Sequence, residues 1–597
     1  MLQRTGNQLL RFVRAIALAL LTVAFASCGG GSSAPPPYYI IGGTVHGLAG
    51  SGLVLQDNGG DALAVATNGS FKFETAVVSG HSYAVTVAAQ PSNPSQDCVV
   101  SSGAGVVTNG AVTDIAVNCT NSYAVGGTVT GLSGSGLVLA DNGTDQLSVN
   151  AQGRFTFSTK VPSGSDYHVT VVSQPTNSSQ NCMVQNGSRD GTVTDRDVSS
   201  LSIDCQEVGK FAYFSYYAQC AAYIAESDPN CIFDLDYGTK VDPYAIDPSS
   251  GALSGGRLMG ALVSFLHGED LIFSMDGKFI IENLTDYGIA PPGENPGLVQ
   301  FAIAQAGSPL PAGSLSVPTT IDFNFFSSLC NAPEASSNFF GAQFNGFITE
   351  LQGVSPMGVE LGTVAAQPAG TAPTLACDPL GRFVYSIYES TGRVSMYTIS
   401  APAGGATTGT LGISSGSPFV VGQTLTAIGT EPFGRFVFIA NSNGSVKPAS
   451  ETISTLAIDG SALATASTTA TPAGKDLVQI IVDPSGTFLY APNGSNDIEA
   501  FAINPVSGQL SSIPGSPFSV GKVAVGTNTL ARIAIDPSGK FLFVGQHVSA
   551  SGTGQKVLIT VYQIDANSGV LTPTTTPQVT IEIAEEDLYL KSIAVSK

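Results

Sequence analysis

Tryptophan is absent from the 597 residues, histidine occurs only five times, and 11% of residues are charged. Each shortage narrows the field. So few imidazoles leave general base chemistry and zinc ligation with few carriers. Lys and Arg number 23 against 44 Asp and Glu, giving a net charge of -21, and such a surface repels nucleic acid. No nucleic-acid partner is expected. Zinc-ligand spacings, a nucleotide fingerprint and a phosphate-cradling glycine loop are also missing, so no metal and no cofactor are expected. No segment reads as a long helix. Glycine is abundant instead, at 69 residues, and short apolar runs alternate with Asn-Gly and Ser-Gly turns, the pattern of an all-β chain.

The chain opens with Arg4, Arg11 and Arg14, then an apolar run from Ala15 to Ala26 and small residues up to Ser27-Cys28. That run is too short to cross a bilayer as a helix and reads as a secretory signal over residues 1–28. Residues 29–38, beginning Gly-Gly-Gly-Ser-Ser-Ala-Pro-Pro-Pro, read as a flexible tether. The segment resembles a bacterial lipoprotein signal, which implies a lipid on Cys28, the membrane as partner through that lipid, and a place in the cell envelope. It departs from the pattern at Phe25, where such signals usually carry Leu. The alternative is ordinary cleavage after Ala24-Phe25-Ala26. Removing the signal takes away three arginines and no acid, moving the net charge from -21 to -24.

Two copies of one module follow, at residues 39–120 and 121–206. Gly42-Gly43-Thr44-Val45 recurs as Gly126-Gly127-Thr128-Val129, and Tyr83-Ala84-Val85-Thr86-Val87 as Tyr167-His168-Val169-Thr170-Val171. Alternating runs such as Gly52-Leu53-Val54-Leu55 predict small antiparallel β-sandwiches of the immunoglobulin-like class. Asp57-Asn58-Gly59-Gly60-Asp61 and Asp141-Asn142-Gly143-Thr144-Asp145 gather oxygens as a calcium loop would. Asn-Gly is the signature of a type I′ hairpin turn, and that reading is preferred. Cys98 and Cys119 occupy the places that Cys182 and Cys205 hold in the second copy, so the disulfides are expected within each module. Cys220 and Cys231 are expected to staple an insertion further on. Cys330 and Cys377 are either a pair between adjacent repeats or small buried thiols.

From residue 207 to 597 a different repeat takes over. Val482-Asp483-Pro484-Ser485-Gly486-Thr487-Phe488-Leu489-Tyr490 returns as Ile535-Asp536-Pro537-Ser538-Gly539-Lys540-Phe541-Leu542-Phe543, with weaker copies at Cys377–Phe383 and Glu431–Phe436. The turn glycines at 381, 434, 486 and 539 set a period of 52 or 53, and faint copies surround Gly277 and Gly209. The double interval between Gly277 and Gly381 implies an eroded unit with its turn near residue 329, making seven. A second motif follows in phase, as Ala500-Phe501-Ala502-Ile503 then Ser507-Gly508-Gln509-Leu510. Four short strands per repeat is the sign of a β-propeller blade. The first piece, Val208-Gly209-Lys210-Phe211, lacks an inner strand, and the last, Ser592-Ile593-Ala594-Val595, lacks its partner. The C-terminus is therefore expected to supply the inner strand of the first blade.

At these residues the chain resembles the seven-bladed lactonase family, the 6-phosphogluconolactonase-like propellers. The likeness extends to Gly416-Ser417-Pro418-Phe419 and Gly515-Ser516-Pro517-Phe518. It implies a seven-bladed β-propeller behind the two sandwiches, with ligands at the mouth of the central channel. The residues just ahead of the inner strands align as Asp270, Thr374, Ala427, Gln479, Arg532 and Ser592, of which Asp270, Thr374, Gln479 and Arg532 are the candidate ligand-binding positions. Active members commonly show an Arg-His pair here. This chain has Ala531-Arg532, Pro373-Thr374 and Val478-Gln479, and the propeller's two histidines, His267 and His547, lie elsewhere.

Arg532 is read either as a fork for a carboxylate or phosphate or as a strand-end residue paired to a neighbouring acid. Arg382 and Arg435 are expected to be solvated, and Asp378, Asp483 and Asp536 to cap turn amides. Gly412-Ile413-Ser414-Ser415-Gly416 matches a serine-hydrolase pattern without a strand-to-helix context and is read as chance. Glu226, Asp228, Asp234, Asp236 and Asp242 are read as a solvated acidic loop. Together these features favour a non-catalytic envelope lipoprotein whose propeller binds a partner or small ligand, with the sandwiches as spacers. The alternative, resting on the resemblance, is a lactone hydrolase.

Overall fold

The computed structural model describes residues 35–219 except 177, then 237–255, 261–264, 267–273, 279–285, 298–303, 319–322, 326–331, 338–343, 347–352, 360–365, 373–388, 391–400, 410–442 except 423, 451–470 except 461, 477–493, 496–520, 527–549, 555–583 and 588–596. Every element among them is a strand. The chain forms two compact units, Met1–Thr120 and Asn121–Lys597.

In the first unit, Ile41–His46 pairs in parallel with Val112–Tyr123 and antiparallel with Gly69–Lys72. A second sheet orders Ala62–Val65, Leu53–Asp57, Ser82–Ala89 and Ala104–Val106. Leu53 and Leu55 point inward with Tyr83 and Val85, onto Ile41, Val45 and Val117 of the facing sheet. That is the two-residue period of a half-buried strand. The paired glycines mark the close approach of the parallel strands. A Cβ on Gly43 would come within 1.9 Å of the Ile115 carbonyl oxygen, and one on Gly127 within 2.0 Å of that of Leu201. Asn58 and Gly59 have φ of 50° and 71°, and Asn142 and Gly143 of 47° and 69°, as a type I′ turn requires. The cysteines pair as expected, Cys98 with Cys119 and Cys182 with Cys205.

The second unit holds the other sandwich and the propeller. The sandwich repeats the first, with Val125–Thr130 between Gly153–Thr156 and Val198–Glu207, and Gln180–Val184 at the edge. Its facing sheet is Asp145–Val149, Leu137–Asp141, Asp166–Ser173 and Asp190–Thr192.

Seven further sheets make the blades. Their inner strands are Leu588–Val595, His267–Phe273, Phe326–Asn331, Thr374–Cys377, Thr424–Thr430, Ile481–Val482 and Thr527–Ile535, for blades one to seven. Each touches the next and the last touches the first, so the ring is closed. Closure falls where the two ends of the repeat region predict it. Leu588–Val595 pairs antiparallel with Phe211–Gln219, setting Phe214 opposite Ile593, and the Ser596 amide donates to the Phe211 carbonyl at 2.9 Å.

The second strand Phe488–Pro492 is buried throughout because both blade faces are covered. Phe488 and Tyr490 pack on Ile533, Leu542 and Val544 of blade seven, while Leu489 and Ala491 pack on Phe436 and Phe438 of blade five. Blade three corrects the expected turn near residue 329. The strand Phe326–Asn331 runs through that position, and Leu329 is buried. The antiparallel partner of that strand is Asn338–Gln343, and no Asp-Pro-x-Gly motif stands between them to mark the place in the sequence. Cys330 and Cys377, left open above, form a disulfide that joins the inner strands of blades three and four. Cys220 and Cys231 lie outside the described residues.

Candidate functional site

The inner strands begin at one end of the channel and run to the Asp-Pro turns at the other. At the starting end the candidate positions have different surroundings. The Gln479 side chain bridges to blade seven, its Oε1 accepting from the Ile533 amide at 3.0 Å and its Nε2 donating to the Ile533 carbonyl at 3.2 Å. Ser592 Oγ likewise accepts from the Leu271 amide of blade two at 3.2 Å. Ser328 Oγ of blade three does the same for the Leu375 amide of blade four at 3.1 Å. One position thus serves as a lateral staple between neighbouring inner strands in three blades. Ser328 was missed because the turn of its blade was misplaced. Its signal is the serine immediately before Leu329-Cys330, matching Ser592 before Ile593.

Thr374 is exposed at the start of its strand, Ala427 is buried, and Arg532 is half-buried beside Gly545 of the adjacent strand. Asp270 lies in a register irregularity between Gly268 and Leu271. Deeper at the same end is a tier of polar pairs that sequence reasoning also missed. Tyr216 donates to Asp242 at 2.7 Å, Asn441 to Ser454 at 2.9 Å, and Asn493 to Glu499 at 3.1 Å. All six residues are buried. Their signal is a polar residue recurring near the end of an otherwise apolar second strand. Asp242 is accordingly no part of a solvated acidic loop; Glu226, Asp228, Asp234 and Asp236 lie outside the described residues.

At the far end the turn aspartates do what their motif predicts. Asp483 accepts from the amides of Ser485, Thr487 and Phe488 at 3.1, 2.8 and 2.6 Å, and Asp536 from those of Ser538 and Phe541 at 2.9 and 2.6 Å. Burial pushes the Asp483 carboxyl up in spite of those donors. Asp378 departs in part: besides the Arg382 amide it takes that residue's guanidinium, at 2.7 and 3.1 Å.

The expectation that Arg382 and Arg435 are solvated is corrected here. Arg382 also donates to the Gly434 carbonyl of the next blade at 2.5 Å, and Arg435 pairs with Glu431 at 2.7 Å while donating to the Pro505 carbonyl at 3.1 Å. Lys540 in the same slot donates to the Pro248 carbonyl at 2.6 Å. Each cation reaches from one blade to the next, and that reach is invisible in a local motif.

The second sandwich docks on this same end. Asn181 Nδ2 donates to the Ser538 carbonyl at 2.9 Å, the Asn186 amide to the Ser485 carbonyl at 2.9 Å, and Arg189 to the Asn567 carbonyl at 2.8 Å. Asn567 returns a bond to the Val171 carbonyl at 2.8 Å. All these partners lie in turns of blades six and seven.

Ser414, the middle of the hydrolase-like pattern, is buried beside a blade's outer strand, with its Oγ 2.9 Å from that of Thr398. A strand, Thr410–Ile413, precedes it and a short strand, Phe419–Val420, follows, so it stands on no strand-to-helix elbow. His547 is part of a second strand, opposite Val557 and opposite Thr529 near the start of the blade-seven inner strand, and His267 is the first residue of the blade-two inner strand. Both therefore lie at the starting end of the channel but outside the ring of aligned positions. A separate cleft of about 220 Å³ on the second sandwich is lined by Gly126, Arg154, Phe155 and Asp197 among others, and the Asp197 carboxylate is engaged by the Ala124 amide at 2.8 Å.

Residues 361–525 match the family described as Lactonase, 7-bladed beta-propeller. The resemblance read from the blade motifs therefore holds across blades four to six. Among solved structures, a putative 6-phosphogluconolactonase from Bacteroides uniformis is 14% identical, covering 65% of this chain and 99% of its own, with a TM-score of 0.42. A functionally unknown protein from Desulfotomaculum acetoxidans is 15% identical, covering 64% of this chain and 98% of its own, with a TM-score of 0.39. No curated protein matches the chain.

Proposed function

We propose that this is an envelope lipoprotein, held through lipid on Cys28, whose lactonase-like propeller binds a small ligand or partner at the open mouth of its channel without turning it over. The observation that carries the reading is the division between the two ends of the ring. The described hydrogen bonds between the second sandwich and the blades fall at the turn end, so the inner-strand starts face away from it. At those starts Gln479, Ser592 and Ser328 are engaged in holding neighbouring strands, and none is a general base. Thr374 and Arg532 are the residues best placed to meet a ligand, with Asp270 in the same ring of positions. An arginine there would favour a carboxylate or phosphate. Three disulfides fit an oxidising compartment, and among the described residues no helix is long and apolar enough to cross a membrane.

A hydrolysis screen over sugar and aromatic lactones tests the non-catalytic part. No turnover above the buffer rate is expected. Turnover that disappears in Arg532→Ala would establish the lactone-hydrolase reading instead. For the anchor, labelled fatty acid should enter the wild-type protein and not Cys28→Ser, which should leave the membrane fraction. A wild type that takes up no label overturns it.

A further inference from the structure

The second sandwich touches the ring beside the one place where the ring is not continuous chain. Blade one is assembled from Phe211–Gln219 and Leu588–Val595, two strands more than 360 residues apart in sequence, joined across that seam by their mutual hydrogen bonds and by the packing of Phe214 with Leu590 and Ile593. The path from sandwich to seam is short. The Val208 amide donates to the Ser179 carbonyl at 2.7 Å, and the Gly209 amide lies 3.4 Å from Asp536 Oδ1 in the blade-seven turn. Gly209 also abuts the C-terminal strand, since a Cβ there would come within 2.7 Å of Val595 and 2.8 Å of the Ser596 carbonyl oxygen. Asn181 also grips the same blade-seven turn through the Ser538 carbonyl, with Met183 packed on Gly539. Asn186 extends the grip to the matching turn of blade six, bonding the Ser485 and Gly486 carbonyls.

We propose that the second sandwich is the clasp of the propeller: by fixing the turns of blades six and seven and the chain entering blade one, it holds the seam shut. Asn181 and Asn186 are buried, and each engages a backbone carbonyl that no strand pairing uses. Opening between the blades would have to break those bonds together with the strand pairing, so the two closures reinforce each other.

The test is hydrogen exchange on the full chain carrying Asn181→Ala and Asn186→Ala together. Amides of Leu588–Val595 and Phe211–Gln219 should exchange at least tenfold faster than in the wild type. Those of Phe383–Tyr388 in blade four, outside the grip, should keep their rates. Seam rates that stay at wild-type values overturn the proposal, whether or not Gln180–Val184 exchanges faster, and so does an equal acceleration in blade four. Should the double variant fail to fold, Asn181→Ala alone gives the graded form of the same comparison, read by the same two outcomes.

Discussion

The two sandwiches share their strand order, their hairpin turns and their disulfide, yet the first is a compact unit by itself and the second is part of the propeller unit. The difference lies in a few residues on one edge. The cysteines are 21 residues apart in the first copy and 23 in the second. The two additional residues fall in the turn after the first cysteine's strand, where Val100-Ser101-Ser102-Gly103 is answered by Val184-Gln185-Asn186-Gly187-Ser188-Arg189. The ends of the turn correspond, since the Gly103 carbonyl accepts from Val85 at 2.7 Å and the Arg189 carbonyl from Val169 at 2.9 Å. Around it, Asp97 becomes Asn181 and Val99 becomes Met183. Val99 is 57% exposed, while Met183 is 3% exposed against blade seven. A copied module thus acquires a partner by lengthening one turn and exchanging two side chains beside it, while its core keeps apolar residues at the corresponding places.

The largest expected effect separates the two units outright. Deleting residues 588–597 removes the inner strand of blade one and leaves Phe211–Gln219 with an unpaired edge. Calorimetry should show the transition of residues 121–597 lost or collapsed while that of the first sandwich persists at its original temperature. A truncated chain that melts like the intact one would refute the closure of the ring by its ends.

Next in size are the disulfides. Replacing Cys98 and Cys119 by Ala should lower the first sandwich's stability by about 3 kcal/mol in the chain-entropy account and leave the propeller transition in place. The same change at Cys182 and Cys205 should appear in the transition that the second sandwich shares with the blades. If both double variants affected one and the same transition, the division into two units would not hold.

A smaller effect probes the docking edge directly. Arg189 is buried, and its guanidinium donates to the Asn567 carbonyl and side-chain oxygen at 2.8 and 3.2 Å, with burial pulling its pKa down. Arg189→Ala leaves those acceptors unmatched and should cost about 1–3 kcal/mol by urea unfolding. Val99→Ala on the corresponding edge of the first sandwich should stay within about 0.5 kcal/mol. Equal costs at the two sites would mean that the docking edge is no more than surface.

Much of this architecture was legible because blade turns are local chemistry. Asp-Pro-Ser-Gly fixes its own amides, so Asp483 and Asp536 show in a short stretch of sequence what they do in space. The seam was legible because the two terminal fragments are complementary halves of one repeat. What escaped was non-local. Arg382 looks like any solvated cation until Gly434, 52 residues away, is seen to accept its hydrogen bond. Gln479 and Ser592 occupy the expected ring and Ser328 is their unforeseen counterpart in blade three, yet the partners of all three are backbone groups of the next blade, which no motif names. The docking edge could have been found by subtracting one sandwich from the other, since the residues that differ around Asn186 are those that touch the blades.

The smallest effect expected is one of pH, and it follows from a carboxylate beneath the clasp. Asp565 begins the turn that carries Asn567. Burial alone would raise its pKa, but bonds from the Ser568 hydroxyl and the amides of Ser568 and Asn567, together with the charge of Arg189, outweigh that and hold it below the usual carboxylate value. A carboxyl with a folded pKa below its unfolded one stabilises the fold fully above the unfolded value of about 3.9. That contribution is lost as the pH falls through the folded pKa. Acidification from pH 5 towards 2 should therefore lower the melting temperature of the propeller unit, and Asp565→Asn should remove part of that slope. Because the side chain is largely exposed, the part removed should be modest. Asp565 belongs to the second compact unit, so the transition of the first sandwich should be unaffected by the substitution at every pH. Identical pH slopes for the wild type and Asp565→Asn in the propeller transition would show that this turn is held by its backbone alone.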